Sequence, residues 1–175
     1  MMPRAEPSAV TVISNYGDFL FVGNDKGYLK RYHFVFSDDP EWIHQLSDIH
    51  TPTFIYDGPI NGVSFDEAAK EGVVGTAIGS IWYTSFASED TRPIDPVKIV
   101  NSHVLGLITS MAFIDHSLFI TAGEDETIRL WSSKSSDQVL SFVLPGTHCT
   151  HLVAHHSGKL CIGSFTDGYL RFFNV

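Results

Sequence analysis

The sequence predicts an all-β fold built from four units of one design, and three observations carry that reading. Four segments align without internal gaps: FVGNDKGYLKRY (21–32), VVGTAIGSIWYT (73–84), ITAGEDETIRLW (120–131) and IGSFTDGYLRFF (162–173). Each opens on apolar residues, crosses a small or glycine-containing stretch, turns through two residues and continues as alternating bulky side chains. A shorter apolar alternation precedes each segment, and no helical periodicity of useful length competes with this pattern.

The turns are Lys26-Gly27, Ile78-Gly79, Asp125-Glu126 and Asp167-Gly168. Three carry glycine second, where a tight hairpin needs a positive φ. The strands before the repeated segments are expected at 9–13, 60–65, 108–113 and 150–155. Outer strands are expected at 97–100 and 138–143. Residues 37–57 hold two candidate runs interrupted by Asp38-Asp39-Pro40 and Pro52, so no outer strand is assigned to the first unit. Asp66-Glu67-Ala68-Ala69-Lys70-Glu71 has helical propensity but spans under two turns, too short for an isolated helix, and is expected as a loop or single turn. Three or four short strands over about 40–50 residues is the period of one propeller blade. The units are expected at approximately 8–57, 58–101, 102–145 and 146–175, with 1–7 a disordered N-terminus.

Composition narrows the class of function. The chain has 175 residues and a formal charge of −9. With 13 Phe, 6 Tyr and 3 Trp at 18% charged residues, it has too much apolar surface for a disordered chain. At this length about 70% of the unfolded surface can be buried. The acidic balance argues against nucleic acid as a partner, since that requires a basic face. The N-terminus has no signal-peptide core, and Phe19-Leu20-Phe21-Val22 is too short to cross a bilayer. A cytoplasmic protein with no membrane partner is expected. On a hairpin turning near Ser157-Gly158, Cys161 falls opposite residue 154 and Cys149 opposite about 166. That separation is too great for a disulfide, so two free, mostly buried thiols are expected.

The third unit resembles the WD-repeat β-propeller family. His103 precedes its inner strand, Thr121 lies in the second strand, Asp125 opens the turn and Trp131 ends the third strand. The resemblance implies that these four form a hydrogen-bonded chain tying the blade together. The physics agrees, because a buried carboxylate must be paired and a buried indole N–H needs an acceptor. The fourth unit keeps Asp167 as a tie residue, has Phe173 at the Trp position, and has His148 a few residues nearer its strand than His103. The first unit has Lys26 and Tyr32 at the Asp and Trp positions. The second has Ile78 and Thr84, with Trp82 two residues early.

Gly62-Val63-Ser64-Phe65-Asp66-Glu67, followed by Val74-Gly75-Thr76 and Gly79-Ser80-Ile81-Trp82-Tyr83, is similar to a segment of the large WD-repeat proteins of centrioles and basal bodies. Those proteins bind microtubules and support cilium assembly. The fold expected is an incomplete or partial propeller of four blade-like units, because the fourth unit stops after its third strand. It is either a piece of a longer propeller or one of two copies that complete an eight-blade ring.

Other clusters have plain readings. His148, Cys149, His151, His155 and His156 are the densest set of metal-ligand types. On one extended strand, Cys149, His151 and His155 share a face, but neighbouring ones lie roughly 7–14 Å apart. Zinc needs three or four converging ligands, so no metal and no cofactor is expected. Gly72–Gly79 lacks the Gly-Lys-Ser/Thr ending of a phosphate loop. The acidic pairs at 38–39, 89–90 and 124–126 sit where neighbours point apart into water, and no serine or cysteine occupies a nucleophile elbow. Lys26, Lys30 and Arg31 are the one basic concentration and the candidate partner-binding residues.

The function expected is a non-catalytic protein-binding scaffold. The resemblance extends it to a microtubule-associated ciliary or centriolar setting, with tubulin among the partners. The alternatives are a generic adaptor in a ubiquitin-ligase or trafficking complex and a metal-dependent enzyme using the His-rich fourth unit.

Overall fold

The structure, a computed structural model, describes residues 8–35, 45–48, 54–66, 68–86, 93–99, 102–103 and 106–175. The stretch expected to be disordered, 1–7, lies outside the described residues, as do the acidic pairs at 38–39 and 89–90.

Among the described residues, fifteen strands form four antiparallel sheets, each meandering outward from an inner strand. Blade 1 holds β1 (Val10–Tyr16), β2 (Phe19–Asn24), β3 (Leu29–Val35) and β4 (Gln45–Asp48). Blade 2 holds β5 (Ile60–Phe65), β6 (Glu71–Thr76), β7 (Ile81–Phe86) and β8 (Pro93–Ile99). Blade 3 holds β9 (Ile108–Asp115), β10 (Leu118–Gly123), β11 (Thr127–Ser132) and β12 (Gln138–Val143). Blade 4 has three strands, β13 (Cys149–Ala154), β14 (Leu160–Phe165) and β15 (Leu170–Asn174). There is no helix among the described residues. Ahead of β6 the Asp66 carboxylate accepts from the Lys70 N–H at 2.7 Å and the Glu71 N–H at 3.2 Å, and Ala69 sits at φ 53°. The outer strand of blade 1, for which the sequence offers two candidate runs, is β4.

The core is three layers, one in each joint between successive blades. We call the face of a blade that looks toward the next blade its forward face, and the opposite one its rear face. Phe21 and its neighbours on the forward face of blade 1 pack on Ile60, Val63, Phe65 and Val74 of blade 2. Val73 and Ile81 of blade 2 pack on Ile108, Met111, Phe119 and Trp131 of blade 3. Ile120, Ile128 and Leu130 of blade 3 pack on Cys149, Leu152, Cys161 and Phe173 of blade 4. Strand alternation explains the arrangement, since successive residues supply opposite faces and a blade between two others needs both apolar.

Every inner strand carries a one-residue bulge at the same level, at Thr11, Asn61, Thr109 and Thr150. A bulge leaves one residue out of the ladder and re-aims the side chains beyond it. Here it turns a hydroxyl toward the next blade: Thr11 Oγ1 donates to the Ile60 carbonyl, and Thr109 Oγ1 to the Cys149 carbonyl at 2.5 Å.

The hairpin turns close the same joints from the top. Gly79 holds φ +84°, and a Cβ there would collide with the carbonyl oxygen of His103, which leads into blade 3. Gly79→Ala is expected to cost more than about 1 kcal/mol, because it adds a clash with backbone to the strain of a positive φ. Urea unfolding checks this, and an unshifted midpoint would contradict the close approach.

Candidate functional site

In blade 3, His103, Thr121, Asp125 and Trp131 meet in one hydrogen-bonded chain. His103 lies in the loop ahead of β9 and is wholly buried, with Nδ1 2.8 Å from Asp125 Oδ1 and Nε2 2.9 Å from Thr121 Oγ1. Trp131 Nε1–H donates to the same Thr121 oxygen at 2.8 Å. The donor count sets the direction of the chain. The carboxylate can only accept, so Nδ1–H donates to it; with the His103 pKa lowered, Nε2 is the acceptor of the Thr121 hydroxyl, which in turn accepts from the indole. That is the neutral imidazole. Asp125 also accepts from the Thr127 hydroxyl at 2.6 Å and pairs with Arg129 at 3.0 Å.

Burial holds the His103 pKa below its ordinary 6.5, outweighing the Asp125 carboxylate that favours the cation. Burial alone would raise Asp125, but hydrogen bonds from Thr127 and His103, with the Arg129 charge, hold it below 3.8. Both shifts act in one direction. Where the folded pKa is the lower one, the unfolded chain binds more protons and stability rises with pH. The contribution of His103 is complete above about pH 6.5 and is lost as pH falls below that; Asp125 adds a second loss below about 3.8. Urea midpoints are therefore expected to be level near pH 8 and to fall toward pH 5, with the decline reduced in His103→Gln. A midpoint independent of pH over that range would contradict a buried neutral imidazole.

Blade 2 has a tie of its own that sequence reasoning missed. Asp57, just ahead of β5 as His103 is ahead of β9, accepts from Thr76 Oγ1 (3.1 Å), Ser80 Oγ (2.8 Å) and Trp82 Nε1 (3.2 Å). Lys98 Nζ lies 2.7 Å from its Oδ2. These contacts overcome burial and keep the carboxyl below its usual range. The displaced Trp82 was the available signal: its indole still needs an acceptor, and a carboxylate ahead of the strand supplies it.

Blade 4 departs from the expected tie. Asp167 gives both oxygens to Arg171, at 3.0 and 2.6 Å, and sits at the surface with its pKa drawn down to about 2 by that guanidinium. The polar link ahead of its inner strand is Thr147 to Thr166 at 3.1 Å. The loop from Leu144 to Cys149 is shorter than the one that carries His103, so Thr147 takes the buried place and His148 stays at the rim.

The basic concentration at 26–31 is divided by the structure. Lys26 is exposed in its turn, and Lys30 lies half-buried on the rear face of blade 1, 6.0 Å from the Tyr32 ring. Arg31 is 7% exposed and belongs to the interior. Its guanidinium lies 4.5 Å from both the Phe19 and Phe86 rings and donates to the Ala69 carbonyl at 3.2 Å. Register places Arg31 beside Phe21, so it bridges blades 1 and 2 and is withdrawn from any docking surface.

The histidine-rich strand is rearranged by its bulge. With Thr150 out of register, Cys149 and Leu152 face blade 3 while His151 and Val153 face away, so Cys149 and His151 do not share the face that simple alternation predicts. His155 Nδ1 pairs with Ser157 Oγ at 2.8 Å, and its ring lies 4.0 Å from that of His156. Among the described residues no three His, Cys, Asp or Glu side chains gather where a metal ion would sit. Cys149 and Cys161 are free and buried, and burial pushes both thiols up to about 11.

The concave surface is made by all four inner strands. A cavity of about 430 Å³ runs between β1, β5, β9 and β13, with Ser14, Asn61, Thr109 and His151 on its walls. It continues into a mouth of about 860 Å³ bordered by Asp66, Asp115, His116, His155 and His156. The carboxylates there are already engaged: Asp66 caps its own turn, and Asp115 accepts from Ser117 and Leu118. Such a mouth offers shape and hydrogen-bonding edges.

Comparison with known proteins agrees with this geometry. The family described as WD domain, G-beta repeat matches residues 94–132. WD repeat-containing protein 90 of Xenopus tropicalis is 27% identical over 128 residues, covering 68% of this chain and 7% of that protein. Its Mus musculus counterpart is 30% identical over 125 residues, 68% of this chain and 6% of that protein. The tRNA (34-2'-O)-methyltransferase regulator WDR6 of Mus musculus is 42% identical over 52 residues, 29% of this chain and 4% of that protein. The chain thus spans a small fraction of the relatives it matches. Among solved structures, the computationally designed Ika4 protein superposes with a TM-score of 0.71 at 14% identity over 98% of this chain and 94% of that one. The WD40 β-propeller domain of Doa1 superposes with a TM-score of 0.68 at 14% identity over 98% of this chain and 53% of that one.

Proposed function

This chain belongs to the WD-repeat β-propeller family, whose members generally serve as protein-interaction scaffolds, and from that premise we propose that it is a non-catalytic binding module of a large microtubule-associated protein of the ciliary or centriolar kind. One observation carries the non-catalytic reading. Among the described residues, His103 and Asp125 are committed to one tie, Asp57 to another, and both thiols are buried between blades 3 and 4. What remains on the channel wall is serine, threonine, asparagine and histidine, which suits recognition of a polar partner segment.

The narrower setting is supported by the likeness of residues 62–67, 74–76 and 79–83 to centriolar WD-repeat proteins and by a cation, Lys26, exposed in the turn of blade 1. A chain of charge −9 does not grip an acidic lattice by bulk electrostatics, so binding through the mouth and turns is expected, with modest salt dependence. Cosedimentation with polymerised tubulin tests it. Pelleting above background, reduced in Lys26→Glu, is the expected result; no pelleting would overturn the microtubule assignment. A second reading, a regulatory subunit that docks an enzyme, draws on the match to the methyltransferase regulator over 52 residues. It predicts co-purification with an RNA-modifying enzyme in place of tubulin.

A further inference from the structure

We propose that the outer edge of blade 3 is a docking site for an extended segment of another protein, which joins the blade as a fifth strand and carries lysine or arginine at each end. Blade 3 stands between blades 2 and 4, and both of its faces are packed. What it leaves open is the edge of β12, its outermost strand. This edge is separate from the channel mouth and the hairpin turns, so it is a second binding surface beyond the one that carries the proposed function.

Outer strands normally carry features that prevent such pairing: short length, charge or proline. β4 is four residues long and ends on Asp48. β8 holds Pro93, Asp95, Pro96 and Lys98 within its seven residues. β12 reads Gln138-Val139-Leu140-Ser141-Phe142-Val143, with neither a charge nor a proline. Its one irregularity, the register shift at Leu130/Trp131, falls at its start and leaves residues 140–143 in regular register. Val139, Leu140 and Val143 are 56%, 42% and 64% exposed.

The backbone of this edge is open as well. The Leu144 N–H donates to the Glu126 carbonyl at 2.9 Å, and the same register sets Phe142 opposite Ile128 and Leu140 opposite Leu130. Antiparallel ladders alternate bonded and non-bonded pairs. Leu140 and Phe142 therefore bond to β11, while the N–H and C=O groups of Ser141 and Val143 point away from the blade. Among the described residues none pairs with them. A strand laid alongside takes up these groups, and its side chains meet the exposed apolar ones of β12.

Charge decides the occupant. Exposed Asp137 precedes β12, and Glu126 is tied to its far end through the bond from Leu144. Lys134 sits farther back in the turn, and Arg129 is held by Asp125. Two copies paired edge to edge would set acid against acid: Asp137 against Glu126 if antiparallel, each against its own kind if parallel. Like charges placed opposite one another are destabilising. A strand with a cation at each end meets the opposite charge at both.

The test is titration of the full 175-residue chain with a synthetic peptide, valine and threonine in alternation with lysine at each end, spanning the six residues of β12. Saturable binding is expected, with slower hydrogen exchange at the Ser141 and Val143 amides. Methylating the peptide nitrogens that face β12 should abolish binding, and replacing the lysines with glutamates should weaken it. Ser141→Pro removes an outward N–H without touching the β11 ladder, so circular dichroism should be unchanged while affinity falls about tenfold. If that variant does not fold, the methylated peptide carries the test on the wild-type chain. No binding, equal binding of the methylated or glutamate peptide, or protection at the mouth in place of β12 would each overturn the proposal. So would self-association of the chain that Ser141→Pro abolishes, which would give the edge to a second copy.

Discussion

Replacing Trp131 with alanine is expected to cost about 3–5 kcal/mol, the range for removing a buried large aromatic, and to leave blade 3 the weakest part of the chain. Trp131 is 1% exposed, stacks on Phe119 with ring centroids 6.2 Å apart and lies in the joint with blade 2. Its removal does two separable things. It opens a cavity between Val73, Ile81 and Ile108, and it takes from Thr121 the indole donor that completes the chain to His103 and Asp125. Trp131→Phe keeps most of the packing and loses the donor, so about 1–3 kcal/mol is expected from that part alone. Urea unfolding of both variants separates the contributions. Equal losses would mean that packing contributes nothing, and a loss below about 1 kcal/mol in the alanine variant would contradict the tie as a stabilising element.

Phe21→Ala is expected to be as costly, about 3–5 kcal/mol, and to act on a different joint. Phe21 is fully buried, lies 3.8 Å by ring centroid from Phe65 and 5.8 Å from Phe86, and stands beside Arg31 in the ladder. The arginine is tolerated there because its guanidinium lies between the Phe19 and Phe86 rings and reaches the Ala69 carbonyl. Without Phe21 the cation keeps its partners but loses its dry surroundings, and blade 1 should loosen from blade 2 before the rest unfolds. Hydrogen exchange checks this: amides of β1 and β2 should exchange faster while those of β10 and β11 keep their protection. Uniform loss across all four blades would show that the chain unfolds as one unit. Blades coupled only to their neighbours are expected to respond locally.

Much of the architecture was legible because it depends on local pattern. β12 runs from Gln138 to Val143 and β5 from Ile60 to Phe65, the spans that alternation predicts. The turns at Gly27, Gly79 and Gly168 take positive φ, and Glu126 takes the same conformation at φ 62° without being glycine. Cys161 pairs with Ala154, as a turn at Ser157-Gly158 requires. Three features were not legible, each for a physical reason. The Thr150 bulge reverses the faces of a strand on one unpaired residue, which alternation cannot anticipate. Arg31 looks like surface charge until two aromatic rings from two blades close on it. Asp57 has no counterpart in the aligned segments, because it lies in the loop ahead of them and meets Trp82 only when the blade folds.

The number of units and their hairpins are written in the amino-acid order alone, since strand period and turn chemistry are properties of a few adjacent residues. Which apolar faces are satisfied is settled only when blade packs on blade. Val10 and Ile60, or Leu130 and Phe172, are equivalent in sequence and opposite in exposure, because burial depends on whether another blade stands across the joint.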